Sequence, residues 1–227
     1  MNIYCQVREK NNWQISIGKA LKDISDEEFS KLSNRRDLKP TTVLYPTPVV
    51  LATSVDEAGK PNVCTLAATG ILSGNPPHVS ISIRPSRYSH ELISRTREYV
   101  INVPTATVVK ETDYCGIVSG RTINKFEVTK LTPIEASRVK PPIIKECPVS
   151  LECKVKDIIN LGSHSVFVGE VVNVNVDETV LGQSKNIAYE KLKPITWNPI
   201  TEEYHSLGER LGKEGYSKKI YEGVRRS

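Results

Sequence analysis

The chain has 227 residues, 38% of them hydrophobic and 25% charged, with 31 Lys and Arg against 26 Asp and Glu for a net charge of +5. That length supports one large domain or two small ones with a full apolar core, and the composition excludes fibrous and low-complexity classes. No apolar run approaches the roughly 20 residues that span a bilayer, so no membrane partner is expected.

The basic residues alternate with acidic ones except at Arg35-Arg36, Lys218-Lys219 and Arg225-Arg226. The concentrated basic stripe with interleaved aromatics that nucleic acid requires is missing, and a small anionic ligand suits the modest excess better. The opening residues 1–10 carry no apolar h-region followed by a small-residue cleavage site, which predicts a cytoplasmic protein. Cys5, Cys64, Cys115, Cys147 and Cys153 are an odd, scattered set without a CxxC pair. They read as reduced, mostly buried thiols rather than as a zinc or disulfide framework.

In chain order, residues 1–39 form an accessory segment. A short helix is predicted over 23–32, with Ser25 as N-cap and Glu28 completing a capping box. Residues 40–177 form a mainly β core. Its first strand is 49–55, followed by a hairpin turn over 56–61 with Gly59 in the left-handed position and a partner strand over 62–67. The run 78–84 alternates, with Val79, Ile81 and Ile83 on one face and Ser80, Ser82 and Arg84 on the other. A helix is predicted over 87–97 with Ser86 as N-cap, then a strand over 99–103. A second helix over 107–118 ends at Ser119-Gly120, with the glycine as C-cap. Strands 149–159 and 165–176 pair around the turn 160–164. Residues 178–227 form a C-terminal extension that packs on the core or on a dimer partner. Many short strands with few helices predict a closed antiparallel barrel. GxGxxG and the P-loop are absent, which argues against a dinucleotide-binding fold.

Four segments carry polar chemistry. In Ser82-Ile83-Arg84-Pro85-Ser86-Arg87-Tyr88-Ser89 a strand gives way to a helix start, where unpaired N–H groups and a partial positive charge favour an anion. An ordinary capped surface helix is the competing account. Gly59 to Gly70 places Asn62, Thr65 and Thr69 among Val63, Cys64 and other small apolar residues, as suits a strand approached by a flat ligand. A turn plus an edge strand would look the same. Ser119, Gly120, Arg121 and Lys125 form a third group that could converge on an anion, or a solvated loop. His164, in Gly162-Ser-His164, either meets a ligand or pins a turn. His78, His90, His164 and His205 show no HxxxH or HExxH spacing, so no metal is expected.

In series these segments resemble the flavin reductase-like family, particularly its flavoredoxin branch. The resemblance runs over roughly residues 40–215. It begins in Leu44-Tyr-Pro-Thr-Pro-Val-Val-Leu-Ala-Thr53 and passes through Lys60-Pro-Asn62-Val-Cys-Thr65, Ser82 to Leu92, and Cys115 to Arg121 with Lys125-Phe126. It continues in Glu146 to Cys153 and Leu161-Gly-Ser-His164 with Val168-Gly-Glu-Val171, and extends to the tail Leu207-Gly-Glu-Arg-Leu-Gly212.

The resemblance implies an FMN-binding split β-barrel with Greek-key antiparallel strands, usually a homodimer with FMN near the subunit interface. Carried over by position, Asn62, Val63, Cys64 and Thr65 line the isoalloxazine or ribityl chain, and Ser82, Ile83 and Arg84 run beneath the flavin. Ser86, Arg87, Ser89 and Lys125 approach the phosphate, with Tyr88, Ser119 and Gly120 beside them. His164 sits near the ring or the dimer contact, and Cys64 takes no redox role. The implied activity is an oxidoreductase that draws electrons from NAD(P)H or a redox protein. A non-catalytic FMN-binding electron-transfer protein is the alternative.

Overall fold

The computed structural model describes residues 36–218 together with the backbone of Arg8–Glu9 and Asn12–Trp13. Two compact units divide the chain: Met1–Thr41 with Glu209–Ser227, and Thr42–Gly208. In the first, Arg8–Glu9 pairs antiparallel with Asn12–Trp13. The helix predicted over 23–32 lies outside the described residues. In the second, residues 178–208 join the same unit as the core.

The second unit is built from β1 (Thr47–Pro48), β2 (Val50–Val55), β3 (Pro61–Leu66), β4 (Thr69–Gly74) and β5 (Pro77–Ile83). Helix α1 (Tyr88–Thr96), β6 (Glu98–Val103), α2 (Val109–Ile117) and α3 (Lys125–Thr129) follow. The short strands β7 (Pro133–Ile134) and β8 (Ile143–Ile144) precede the long hairpin β9 (Val149–Leu161) and β10 (His164–Val176). Helix α4 (Tyr189–Leu192), β11 (Ile195–Asn198) and β12 (Glu203–Ser206) complete it.

Seven strands form one antiparallel sheet in the order β3-β2-β6-β9-β10-β5-β4, and β12-β11-β1 form a second sheet of three. The predicted full closure is not reached, because β3 and β4 remain the two edges of the ladder. The seven strands nevertheless share one core. Val50 and Ala52 near one edge meet Ile81 and Ile83 near the other, around Ile93, Tyr99, Cys153 and Phe167. The alternation read in 78–84 holds, since Val79, Ile81 and Ile83 are buried and Arg84 is exposed. A second cluster, with Leu51, Val63, Cys115 and Phe126, packs α2 and α3 behind β2 and β3.

Helix boundaries differ from expectation at both sites of interest. The cap of α1 is Arg87 in an extended conformation (φ −80, ψ 140), with no side-chain capping bond, so Ser86 does not cap it. Helix α2 is preceded by a 3-10 turn over Ala106–Val108 and stops at Ile117, with Val118 already extended. Gly120 therefore ends nothing; its role lies in packing.

One buried carboxylate ties a peripheral segment to the sheet. Glu152 on β9 is fully buried and accepts from Ser137 N (3.1 Å), Arg138 N (2.5 Å) and Asn173 Nδ2 (2.7 Å). Burial alone would raise its pKa, but the Asn173 amide and the backbone N–H groups of Ser137, Arg138 and Val139 bring it below its ordinary value of 4.5. A carboxyl depressed in the folded state stabilises fully above its unfolded value, and that stabilisation is lost as pH falls through the folded one. Glu152→Gln presents an amide donor where an acceptor is needed and should cost about 3 kcal/mol. Urea unfolding between about pH 3 and 7 should show the variant's stability flatter on the acid side than the parent's.

Candidate functional site

The hairpin between β2 and β3 sets the first wall. Asp56 Oδ1 accepts from Ala58 N (3.0 Å) and Lys60 N (2.8 Å), and Gly59 takes the left-handed turn position at φ +82. Strand β3 then carries Asn62, Cys64 and Thr65 past the start of α1 on one side and α2 on the other.

Between these elements lies a cavity of about 230 Å³. Asn62, Cys64 and Thr65 line it from β3, and Ile83, Ser86, Arg87, Tyr88 and Ser89 from the strand-to-helix passage. Ser119 and Gly120 from the loop after α2, and Lys125 at the start of α3, close it. Three of the four segments singled out in the sequence thus converge on one space. The other sequence candidates lie elsewhere. Val63 is fully buried in the cluster behind β3, and Ser82 is paired to Val166 within the sheet. Arg84 is exposed and does not line the cavity. His164 follows the Gly162 turn (φ +64) and its Nδ1 bonds Ser163 Oγ at 2.8 Å, as a turn-pinning histidine does. Leu66, Cys115, Gly116 and Val118 also line the cavity without having been individually assigned. Of these, Gly116 had a sequence signal: a glycine inside a helical pattern marks close approach of another chain segment. Its Cβ would sit 3.2 Å from Thr65 Cβ.

The polar network of the wall is specific. Asn62 Nδ2 donates to Ser89 Oγ (2.8 Å) and Ser54 Oγ (3.3 Å), joining β3 to α1. Thr65 Oγ1 donates to the Thr112 carbonyl, joining β3 to α2. Gly120 packs so closely on Asn62 that a Cβ there would overlap Asn62 Oδ1. Arg121, grouped in the sequence with Ser119 and Lys125 as residues that could converge on an anion or form a solvated loop, does not line this cavity. Arg121 instead pairs with Glu91 (2.7 Å) and lies over the Tyr88 ring at 4.9 Å, strapping the loop to α1.

Charge in the cavity is one-sided. Lys125 is 5% exposed, and its Nζ donates to Val63 O (2.8 Å) and Cys115 O (2.7 Å). Burial lowers its pKa, with partial compensation from the Cys64 and Cys115 thiols and a further push down from Arg87. No carboxylate lines the cavity or pairs with Lys125 among the described residues. The Arg87 guanidinium likewise makes no hydrogen bond or ion pair among them. Both cavity thiols are held protonated. Burial raises Cys64 more than Ser89, Lys125 and Arg87 lower it, and Cys115 is pushed up to about 11, chiefly by burial. Among the described residues no His, Cys, Asp or Glu cluster could hold a metal ion, and no helix is long and apolar enough to cross a membrane.

Two cations and a set of hydroxyls thus border a space that no carboxylate lines, a donor set whose chemistry suits an anion. The chain matches the model of the flavin reductase like domain over residues 42–199. A protein of Archaeoglobus fulgidus is 38% identical over 146 residues, covering 64% of this chain and 81% of that one. Flavoredoxin of Desulfovibrio vulgaris (Miyazaki F) superposes with a TM-score of 0.77 at 32% identity, over 82% of this chain and 100% of its own. Flavoredoxin from Methanosarcina acetivorans gives 0.77 at 28% identity, over 83% and 100%. With its mainly β sheet, few helices and serial motifs, this chain belongs to the flavin reductase like domain family.

Proposed function

We propose that the chain binds a flavin in this cavity, FMN by preference, and works as a cytoplasmic oxidoreductase that moves electrons from NAD(P)H or a redox-protein donor to an acceptor. The observation that carries the reading is the pair Arg87 and Lys125, one unpaired and one buried, facing a cavity without a carboxylate. An unneutralised buried ammonium is unfavourable unless an anion joins it, and a phosphate monoester supplies that anion.

The donor set fits FMN. Arg87 offers a fork for phosphate oxygens, and Ser86, Ser89 and Ser119 offer hydroxyls. Cys64 and Thr65, further along β3, give a small-residue wall for a ring. The cavity of about 230 Å³ is smaller than a whole small-molecule site of about 300–1,000 Å³. It therefore takes part of the ligand, and the homodimer in our reading supplies the remaining cover. Bound flavin would supply the hydride-accepting N5, while these residues bind, orient and place positive potential beside it.

Arg87→Ala should weaken FMN binding about 10- to 150-fold, the worth of one charge-assisted phosphate contact. Riboflavin, which lacks the phosphate, should bind both proteins alike. Titration of FMN fluorescence measures both, and a purified protein that takes up no added FMN would refute the reading.

A second reading, a non-catalytic FMN-binding electron carrier, is favoured by one feature: no carboxylate or histidine lines the cavity to handle protons. Anaerobic stopped-flow separates the two. Fast bleaching of the visible flavin band by NADH or NADPH supports the oxidoreductase, and reduction only by a redox protein supports the carrier.

A further inference from the structure

Beside the first cavity lies another of about 230 Å³, lined by Val49, Ala67, Ile117, Asp113, Trp197 and Tyr204, with Thr65 and Gly116 lining both. Its aromatic side comes from the three-stranded sheet. Trp197 on β11 and Tyr204 on β12 are directly opposite in register, with ring centroids 4.8 Å apart at 61°. Its polar group comes from α2: Tyr204 Oη donates to Asp113 Oδ1 at 3.2 Å across 91 positions of chain. Ile117 is 69% exposed, which leaves an apolar side chain uncovered beside the opening.

We propose that this second cavity is a subsite for a neutral, single-ring aromatic molecule bearing a hydrogen-bond donor, such as a phenol or an aromatic amine. Size sets the first limit. The volume exceeds the roughly 150 Å³ apolar cavity that takes up benzene and falls below the roughly 300 Å³ at which drug-sized sites begin. Ring chemistry sets the second, because a third ring extends the edge-to-face arrangement of Trp197 and Tyr204. Charge sets the third. The Asp113 carboxylate already accepts one hydrogen bond from Tyr204, has a second oxygen without a partner among the described residues, and repels an anion. Benzoates are thereby disfavoured and OH or NH donors favoured. The polarity of this cavity is the reverse of the first, where two cations await an anion. Its role as the place of a substrate beside the flavin rests on the reading above, whereas its occupancy does not.

The test uses the full chain with Trp13→Phe, which leaves Trp197 as its one tryptophan. Phenol and benzoate are titrated against Trp197 fluorescence, with and without FMN. Phenol should quench saturably, and benzoate should bind at least about tenfold more weakly. Asp113→Asn should narrow that preference to about twofold. Ala67→Leu fills the cavity from a residue outside the first one; it should weaken phenol about tenfold or more while leaving circular dichroism and FMN binding unchanged. Non-saturating quenching, equal affinity for phenol and benzoate, or phenol binding indifferent to Ala67→Leu would each overturn the proposal. Saturable phenol binding in a protein that takes up no FMN would sustain the pocket and refute only the flavin reading.

Discussion

Gly169→Ala is expected to destabilise the protein by about 3 kcal/mol or more, lowering its melting temperature by about 6–12 °C. Gly169 lies on β10, between Val155 of β9 and Val79 of β5, in the middle of the seven-stranded sheet. A Cβ there would overlap the Tyr99 hydroxyl and stand 2.7 Å from its Cζ. Tyr99 is fully buried with Ile81, Ile93 and Phe167 around it, so the ring has no room to retreat. Its hydroxyl has no well-formed hydrogen bond among the described residues; the Cys153 thiol lies beside it, and burial pushes its pKa far up. Tyr99→Phe should therefore cost nothing or stabilise slightly, since it removes a buried polar group without a proper partner. In that background Gly169→Ala should recover about half its loss, because the closest overlap is with the oxygen. Thermal melts of the two single variants and the double variant measure the coupling.

The second large effect falls on binding rather than stability. Gly120→Ala should weaken FMN at least about 30-fold while the protein stays folded. The new methyl group would take the place of Asn62 Oδ1 and come 3.3 Å from Tyr88 Cδ1, both in the cavity wall. Displacing Asn62 also releases Ser89, whose hydroxyl it holds at 2.8 Å. The residue lies in an accessible loop rather than in a sheet, so the backbone can yield, and the damage concentrates on the site. Circular dichroism with FMN titration separates this outcome from global unfolding.

The two glycines show what the sequence could and could not reveal. Strand 78–84 was readable because its burial alternates residue by residue, and the hairpin β9–β10 because Gly162 marks its turn. Strand β4 was missed: Ile71 and Leu72 are adjacent and both exposed, as happens on an edge strand without a buried face. Strands β11 and β12 were missed because they are four residues each and β11 is fixed by pairing with Thr47–Pro48, about 150 positions away. A local pattern carries no trace of such a partner.

At the site, residue types were legible and roles were not. Ser86 was given the cap because Ser before a helix prefers it, yet Arg87 takes that position and Ser86 borders the cavity. Gly120 looked like a helix stop, and tertiary contact with Asn62 explains it instead. Arg84 was read as part of the helix-start cradle and His164 as a ligand contact or a turn pin; neither lines the cavity, because Arg84 is exposed at the end of its strand and His164 bonds its neighbour Ser163 beside the Gly162 turn. The convergence of 62–65, 83–89 and 119–125 required the serial match, because no spacing in the chain links three segments so far apart.

Lys125 and Arg87 also differ in how freely they can change over descent. The ammonium that faces the cavity is the one that fastens the Val63 carbonyl of β3 to the Cys115 carbonyl of α2. Under the flavin reading proposed above, a substitution there is screened twice, once by the ligand and once by the fold. The Arg87 side chain, which makes no hydrogen bond or ion pair among the described residues, would be screened by that ligand alone. Within a lineage that keeps this architecture, position 125 should hold its cation while position 87 records changes in which anion is favoured.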